Sequence, residues 1–183
     1  MELKGSRTEK NLMAAFAGEC MARTKYDIYA SAAKKAGYEQ IADFFAETAL
    51  NEKEHAKMWL RALSAFAEGK TPGDTEKNLA AAAAGEHDEW VNMYREFARV
   101  AREEGFADIA ARFEGVGSVE RAHEERYNKL LENLNKGEVF SREESRVWQC
   151  RNCGFIYEGE EAPAVCPVCA HPQAYFELKQ DNY

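Results

Sequence analysis

The chain has 183 residues, of which 45% are hydrophobic and 31% charged, and its net charge is −8. This length suits one medium domain with a small appendage, and the composition is that of a globular protein able to bury a core. The acidic balance disfavours nucleic acid or an anionic membrane as a partner, because both require basic patches. We find no apolar signal stretch after Met1 and no apolar run of about eighteen residues. We therefore expect a cytoplasmic protein without membrane spans.

Four long helices are predicted in the first three quarters of the chain, from helical spacing of apolar residues and from capping and breaking signals. They run from Ser6 or Thr8 to Gly37, from Glu39 to Glu68, from Asp74 or Thr75 to Gly105, and from Phe106 to Lys136. Four helices of about 30 residues favour an all-α four-helix bundle roughly 40 Å long. The composition changes near Gly137, so we predict a helical domain over 1–136, a linker over 137–146 and a small module over 147–183.

Glutamate and histidine recur at one spacing on these helices. Glu-x-x-His occurs on the second and the fourth helix, and residues three apart share a helix face. The other two helices supply further glutamates. Glu19, Glu52 and Glu120 lie on apolar faces, where a carboxylate is costly unless it is paired or binds metal. The candidate ligands are Glu19, Glu52, His55, Glu86, Glu89, Glu120 and His123. One such motif is usually a solvated face, but two in a four-helix chain predict a dinuclear carboxylate site for Fe or Mn.

The residues around these ligands have less certain roles. Tyr26 and Tyr94 lie one or two turns from candidate glutamates, as core aromatics or as hydroxyl donors to the site. Cys20 has no companion cysteine, so we expect a small buried hydrophobe rather than a nucleophile. Solvated positions are predicted for Glu54, His87 and Asp88.

The four remaining cysteines form two Cys-x-x-Cys pairs near the C-terminus: Cys150, Cys153, Cys166 and Cys169. Two such pairs predict a tetrahedral S4 site for zinc or iron. An aromatic core is expected from Trp148, Phe155, Tyr157, Tyr175 and Phe176. A purely structural zinc knuckle is the alternative.

Over nearly its whole length the chain resembles the rubrerythrins. The resemblance is carried by Ala15-Phe16-Ala17-Gly18-Glu19, Phe45-Ala46-Glu47-Thr48, Glu52-x-x-His55, Ala84-Gly85-Glu86-x-x-Glu89, Phe97-Ala98-Arg99, Glu120-x-x-His123 and the cysteine module. It implies a ferritin-like bundle whose di-iron site is held by the seven candidate ligands, with Glu52 and Glu120 bridging. It also implies that Glu89 and His55 alternate on one iron, and that Tyr26 and Tyr94 hydrogen-bond near the cluster. The module is then a rubredoxin-like Fe(Cys)4 centre, and Cys20 is a departure from the family pattern.

The resemblance further implies a non-haem peroxidase that reduces hydrogen peroxide to water in oxidative-stress defence. Its electrons would come from an external donor, a rubredoxin or an NAD(P)H-dependent reductase, through the rubredoxin-like iron. The residues expected at the chemistry are Glu19, Tyr26, Glu52, His55, Glu89 and Tyr94. A ferroxidase or iron-storage protein is the main alternative, and a non-catalytic electron carrier is a weaker one. An electron-carrying module has no evident use in iron storage, which favours the enzyme.

The link between the second and third helices is short for a ferritin-like bundle, in which these two helices run parallel. From His55 to Glu68 the helix rises about 20 Å, and from Glu86 back to Thr75 about 16 Å. Residues 69–74 span at most about 25 Å. We therefore predict a homodimer in which helix pairs are exchanged, so that each di-iron site is built from both chains.

Overall fold

The computed structural model describes residues 3–65 and 74–180. The chain divides into two compact units, Met1–Asp74 and Thr75–Tyr183. The predicted end of the second helix at Glu68, and the helix-breaking residues that follow it, lie outside the described residues. None of the described helices carries an apolar stretch long enough to cross a membrane.

The first unit is a helical hairpin of α1 (Arg7–Lys35) and α2 (Glu39–Ala65). The predicted cap is present, because the Ser6 hydroxyl accepts a hydrogen bond from the Glu9 backbone N–H at 3.1 Å. Gly37 closes α1 with φ +83°, a conformation that favours glycine. Ala42, Ala49 and Ala56 recur every seven residues along α2 and are almost fully buried. Small side chains at this spacing let the two helices approach closely along one seam.

The helical part of the second unit contains α3 (Thr75–Asp88), α4 (Tyr94–Glu103) and α5 (Ala107–Asn135). The predicted third helix is present, and it contains a π-helical turn, Glu89–Met93, between α3 and α4. Within this turn the Tyr94 N–H bonds to the Glu89 carbonyl, five residues back rather than four. The chain therefore holds one more residue than an α-helix would at this level.

The two hairpins are copies of one another. Ala84-Gly85-Glu86 follows Ala17-Gly18-Glu19 by 67 residues, whereas Gly105 follows Gly37 by 68. The ring triad of Tyr26, Tyr29 and Phe45 has centroids 5.6–6.2 Å apart. Its counterpart of Tyr94, Phe97 and Phe113 has centroids 5.6–6.4 Å apart. The change of offset from 67 to 68 falls in the π turn, which is the one-residue difference between the copies.

The C-terminal module is a three-stranded antiparallel sheet in the order β2-β1-β3. Its strands are β1 (Ser141–Cys150), β2 (Ile156–Glu161) and β3 (Phe176–Leu178). The buried core consists of Trp148, Cys150, Ala162, Cys166 and Phe176, with Phe155 packed against it. The Trp148 indole N–H donates to the Gly159 carbonyl at 2.9 Å, which satisfies the one polar atom of this ring.

Two residues of the predicted aromatic core lie at the surface instead, so that part of the prediction was wrong. Tyr157 and Tyr175 are 40% and 42% exposed. The Tyr157 ring lies against Gly159, and the Tyr175 ring packs on His171 with centroids 4.4 Å apart. The remaining core is small, and it includes two of the four cysteines.

Candidate metal centres

The first hairpin brings together a carboxylate of α1 and the Glu-x-x-His motif of α2. Ligand atoms of Glu19, Glu52 and His55 all lie within 4.8 Å of one another. The His55 Nδ1 atom lies 2.9 Å from a Glu52 oxygen and 3.8 Å from a Glu19 oxygen. The Trp59 indole N–H donates to the other Glu19 oxygen at 3.5 Å. Three of the seven predicted ligands thus meet on one side of this seam.

The second hairpin repeats this group with α3 and α5. Glu86, Glu120 and His123 also have ligand atoms within 4.8 Å of one another. The His123 Nδ1 atom lies 2.7 Å from a Glu120 oxygen and 3.6 Å from a Glu86 oxygen. The two hairpins therefore present the same three donors, two carboxylates and an imidazole, in nearly the same geometry.

The carboxylates of both groups are crowded and half-buried. The side chains of Glu52 and Glu120 are only 16% and 14% exposed. Hydrogen bonds with Glu19 and His55 hold the pKa of Glu52 below its usual value. Burial, followed by the negative charge of Glu120, raises the pKa of Glu86. Repulsion between carboxylates held this close is relieved by a bound cation, which is the property expected of a metal site.

Glu89 lies near the second group but outside its set of mutually close ligand atoms. It is half-buried and opens the π turn. Its charge acts on Tyr94, since burial and then the charges of Glu89, Glu120 and Glu86 raise the pKa of that phenol. Tyr94 thus lies within the electrostatic reach of three predicted ligands. Tyr26 occupies the equivalent place in the first hairpin, packed against Phe45.

The four paired cysteines converge in the module. Sulfur atoms of Cys150 and Cys169 are 3.7 Å apart, and those of Cys153 and Cys166 are 3.6 Å apart. Metal–sulfur bonds of about 2.3 Å in a tetrahedron give sulfur–sulfur edges of about 3.8 Å, so the thiols already stand at metal-binding spacing. A backbone N–H of His171 contributes most to lowering the pKa of Cys169, to about 6.

Each pair sits in a tight turn of the same form. The Gly154 N–H donates to the Cys150 carbonyl at 2.8 Å, and the Ala170 N–H donates to the Cys166 carbonyl at 2.9 Å. Gly154 and Ala170 both have positive φ, +78° and +58°. The turns aim two thiols each at one point and leave no protein ligand position open.

These donor sets match iron at both sites. Glutamate and histidine suit a di-iron carboxylate site, and four thiolates in a tetrahedron suit Fe(Cys)4. Both sets are made by residues that the sequence predicted as ligands.

Several residues beside the ligands differ from expectation. Cys20 is exposed, so the prediction of a buried side chain was wrong. His87 is exposed as predicted, but its ring also contacts Glu124, with Nδ1 3.0 Å from a carboxylate oxygen. Glu124 and Trp90, which bond to each other at 2.5 Å, were not among the predicted site residues. Glu124 directly follows His123 and Trp90 directly follows Glu89, and this adjacency to predicted ligands is the sequence feature that could have identified them.

Family models match two segments of the chain: "Rubrerythrin" over residues 10–131 and "Rubrerythrin, rubredoxin-like domain" over residues 148–177. Rubrerythrin of Porphyromonas gingivalis is 52% identical, covering 99% of this chain and 94% of the relative. Rubrerythrin of Clostridium perfringens is 50% identical and rubrerythrin-1 of Clostridium acetobutylicum 48%, each covering 99% of this chain and 98% of the relative.

Proposed function

The chain belongs to the rubrerythrin family, and from this premise we propose that it is a peroxidase that reduces hydrogen peroxide to water. The family is defined by a ferritin-like di-iron domain and a rubredoxin-like centre and acts in oxidative stress, so the chain is an oxidoreductase of that fold class. The peroxide specificity is our proposal.

One observation carries this proposal: a single chain holds both a repeated carboxylate–imidazole group and an S4 site without an open ligand position. Peroxide reduction needs two electrons and two protons, and a pair of ferrous ions supplies both electrons when bound. The closed S4 site suits electron transfer rather than substrate binding. Iron storage would have no evident use for it.

We assign the di-iron ligands to Glu19, Glu52, His55, Glu86, Glu89, Glu120 and His123. In this assignment Glu52 and Glu120 would hold both metals, which agrees with their being less exposed than Glu19 and Glu86. Glu89 and His55 would alternate as ligands. The Fe(Cys)4 ligands are Cys150, Cys153, Cys166 and Cys169.

Tyr94 has a distinct part in the proposal. A phenol is protonated at neutral pH, and burial with the neighbouring carboxylates raises the pKa of Tyr94 further, so its hydroxyl can donate a hydrogen bond beside the carboxylates of the second hairpin. We propose that it holds the reacting oxygen atoms in place and that Tyr26 does the same from the first hairpin. Neither residue needs to lose its proton for this.

The partners follow from the same chemistry. We propose an external donor, a rubredoxin or an NAD(P)H-dependent reductase, that feeds electrons to the S4 centre in the cytoplasm. We also propose a homodimer with exchanged helix pairs. This is supported by the short link, residues 69–74, that the sequence predicts between the second and third helices.

The peroxidase proposal is tested anaerobically with the iron-loaded, reduced protein. After mixing with hydrogen peroxide, the visible ferric–thiolate absorption should return rapidly, and much faster than with oxygen. Glu52→Ala should slow this by more than the roughly 10–100-fold that loss of an outer-shell partner costs. Glu54→Ala is the matched control, because Glu54 is exposed and pairs only with Lys57 in the hydrogen bonds described. Preference for oxygen with growth of a mineral core would indicate iron storage instead.

Helix exchange is tested by complementation. Chains carrying Glu52→Ala and chains carrying Glu120→Ala should each be inactive alone. In an exchanged heterodimer, the intact first hairpin of one chain meets the intact second hairpin of the other, so one of two sites is complete. Refolding an equal mixture should then restore about a quarter of the wild-type activity, since half of the dimers are mixed. No recovery would mean that each chain builds its own site.

A further inference from the structure

A carboxylate of α5 ties the π turn to the facing helix. One oxygen of Glu124 accepts the Trp90 indole N–H at 2.5 Å, and the other lies 3.0 Å from the His87 Nδ1. The rings of His87 and Trp90 meet edge to face with centroids 5.6 Å apart. On the other side, the guanidinium of Arg121 lies 5.7 Å from the Trp90 ring centre. The Glu124 side chain is only 18% exposed, whereas that of His87 is 55% exposed, so the bond to the half-buried Trp90 is the better shielded of the two.

The network lies one residue beyond the proposed ligands on both helices. His87 follows Glu86, Trp90 follows Glu89, and Glu124 follows His123. Successive residues of a helix point about 100° apart, so the network flanks the metal-facing side instead of sharing it. It can therefore fix the backbone that carries the ligands without touching a metal or a substrate.

The first hairpin has no such tie at the equivalent place. Ala56 stands where α5 has Glu124, and Arg23 stands where the π turn has Trp90. There α1 runs unbroken from Arg7 to Lys35. Within the described residues, the tie and the π turn thus occur together in one copy and are both missing from the other.

We propose that Glu124 is a positioning residue: through Trp90 it holds the π turn in place, and thereby sets Glu89 and Tyr94 at the metal site. A π turn bonds its backbone less favourably than an α-helix, so it persists where other contacts fix it. A hydrogen bond to a charged, shielded carboxylate is strong enough to do so. The role of Glu89 and Tyr94 rests on the proposed function, but the hold on the turn does not.

The first test measures amide hydrogen exchange on the iron-loaded protein. Glu124→Ala installs the residue of the first hairpin and should speed exchange in a peptide covering residues 89–94 by about ten-fold or more. Glu124→Gln keeps an oxygen for the Trp90 N–H but loses the charge, so its exchange rate should fall between those of wild type and Glu124→Ala. The matched control is Glu132→Ala on the same helix, because the Glu132 side chain bonds only to Lys129 of α5 and to Lys136, which follows α5, in the contacts described. It should leave exchange at 89–94 unchanged.

The second test separates positioning from general stabilisation. Glu124→Ala should lower kcat for peroxide with KM unchanged, because Glu124 flanks the metal-facing side of α5 instead of sharing it. In a Trp90→Phe background, Glu124→Ala should add little to the change in hydrogen exchange or in kcat, since the N–H that Glu124 accepts is already lost. Exchange at 89–94 that matches the Glu132→Ala control, or effects that add in the double variant, would overturn the proposal. If wild type lacks peroxidase activity, the exchange result still decides whether Glu124 holds the turn.

Discussion

Exchanging glycine and alanine should change the stability of the module in opposite directions at the two cysteine turns. Gly154 and Ala170 occupy the same place after the second cysteine of each pair, both at positive φ. An L-residue in this region costs about 1–2 kcal/mol. Glycine loses about 0.4–1 kcal/mol more than alanine through the freedom of the unfolded chain. Ala170→Gly should therefore stabilise the module by about 0.5–1 kcal/mol, and Gly154→Ala should destabilise it by a similar amount.

The residues around Gly154 and Ala170 add neither a clash nor buried apolar surface, so the predicted changes in stability come from backbone conformation alone. No atom lies within 4 Å of a Cβ added at Gly154, so its replacement meets no steric clash. Ala170 is exposed, so its methyl group buries little. The assay is urea unfolding of the iron-loaded protein, followed by loss of the ferric–thiolate absorption. Ala164→Gly is the control, an exposed alanine at ordinary φ that should lose about 0.4–1 kcal/mol. A neutral or destabilising Ala170→Gly would show that the left-handed alanine carries no strain.

Three further predictions concern the module and the helices. Chelating the iron should unfold the module while leaving the helical circular dichroism intact, because a core this small depends on its metal. The fluorescence of Trp148 should then shift to the red, and Trp148→Phe should abolish that shift. Deleting Asn92, an exposed residue of the π turn, should convert the turn to regular α-helix without lowering the melting temperature. It should reduce peroxide turnover, because Glu89 is displaced. Unchanged turnover would show that the π turn has no role in the reaction. Ser6→Ala removes the cap on the Glu9 N–H and should cost about 1 kcal/mol in thermal unfolding, whereas no loss would mean that the α1 terminus frays already.

Much of the proposed site could be predicted because its spacing is local. Glu52 and His55 are three residues apart, so any α-helix places them on one face. The same holds for Glu120 and His123, and the structure brings both pairs to within 3 Å. The cysteines are likewise defined by two tight turns, whose spacing alone predicts converging thiols. Patterns of this kind survive errors in helix boundaries.

The π turn could not be predicted from local sequence spacing. Residues 89–93 contain no proline or glycine, so propensity predicts an unbroken helix. The inserted residue becomes visible only when the two hairpins are aligned and their offset changes from 67 to 68. Ala170 was hidden for a related reason, since alanine gives no signal of positive φ. In both cases a tertiary constraint, close packing in one and a metal-binding turn in the other, overrides local preference.

The positions at which the two hairpins differ lie opposite one another in the second hairpin, where α3 and α4 pack against α5. Opposite the π turn, α5 has Gly117 where α2 has Ala49, and a Cβ at Gly117 would lie 3.4 Å from the Tyr94 Cβ, at the tight limit of normal packing. Inserting a residue in one helix thus coincides with a smaller residue in its neighbour, and with a new bond from Glu124. The two hairpins also differ at Glu89, because the first hairpin has Ala22 at the equivalent place. The proposed site then takes four ligands from the second hairpin and three from the first.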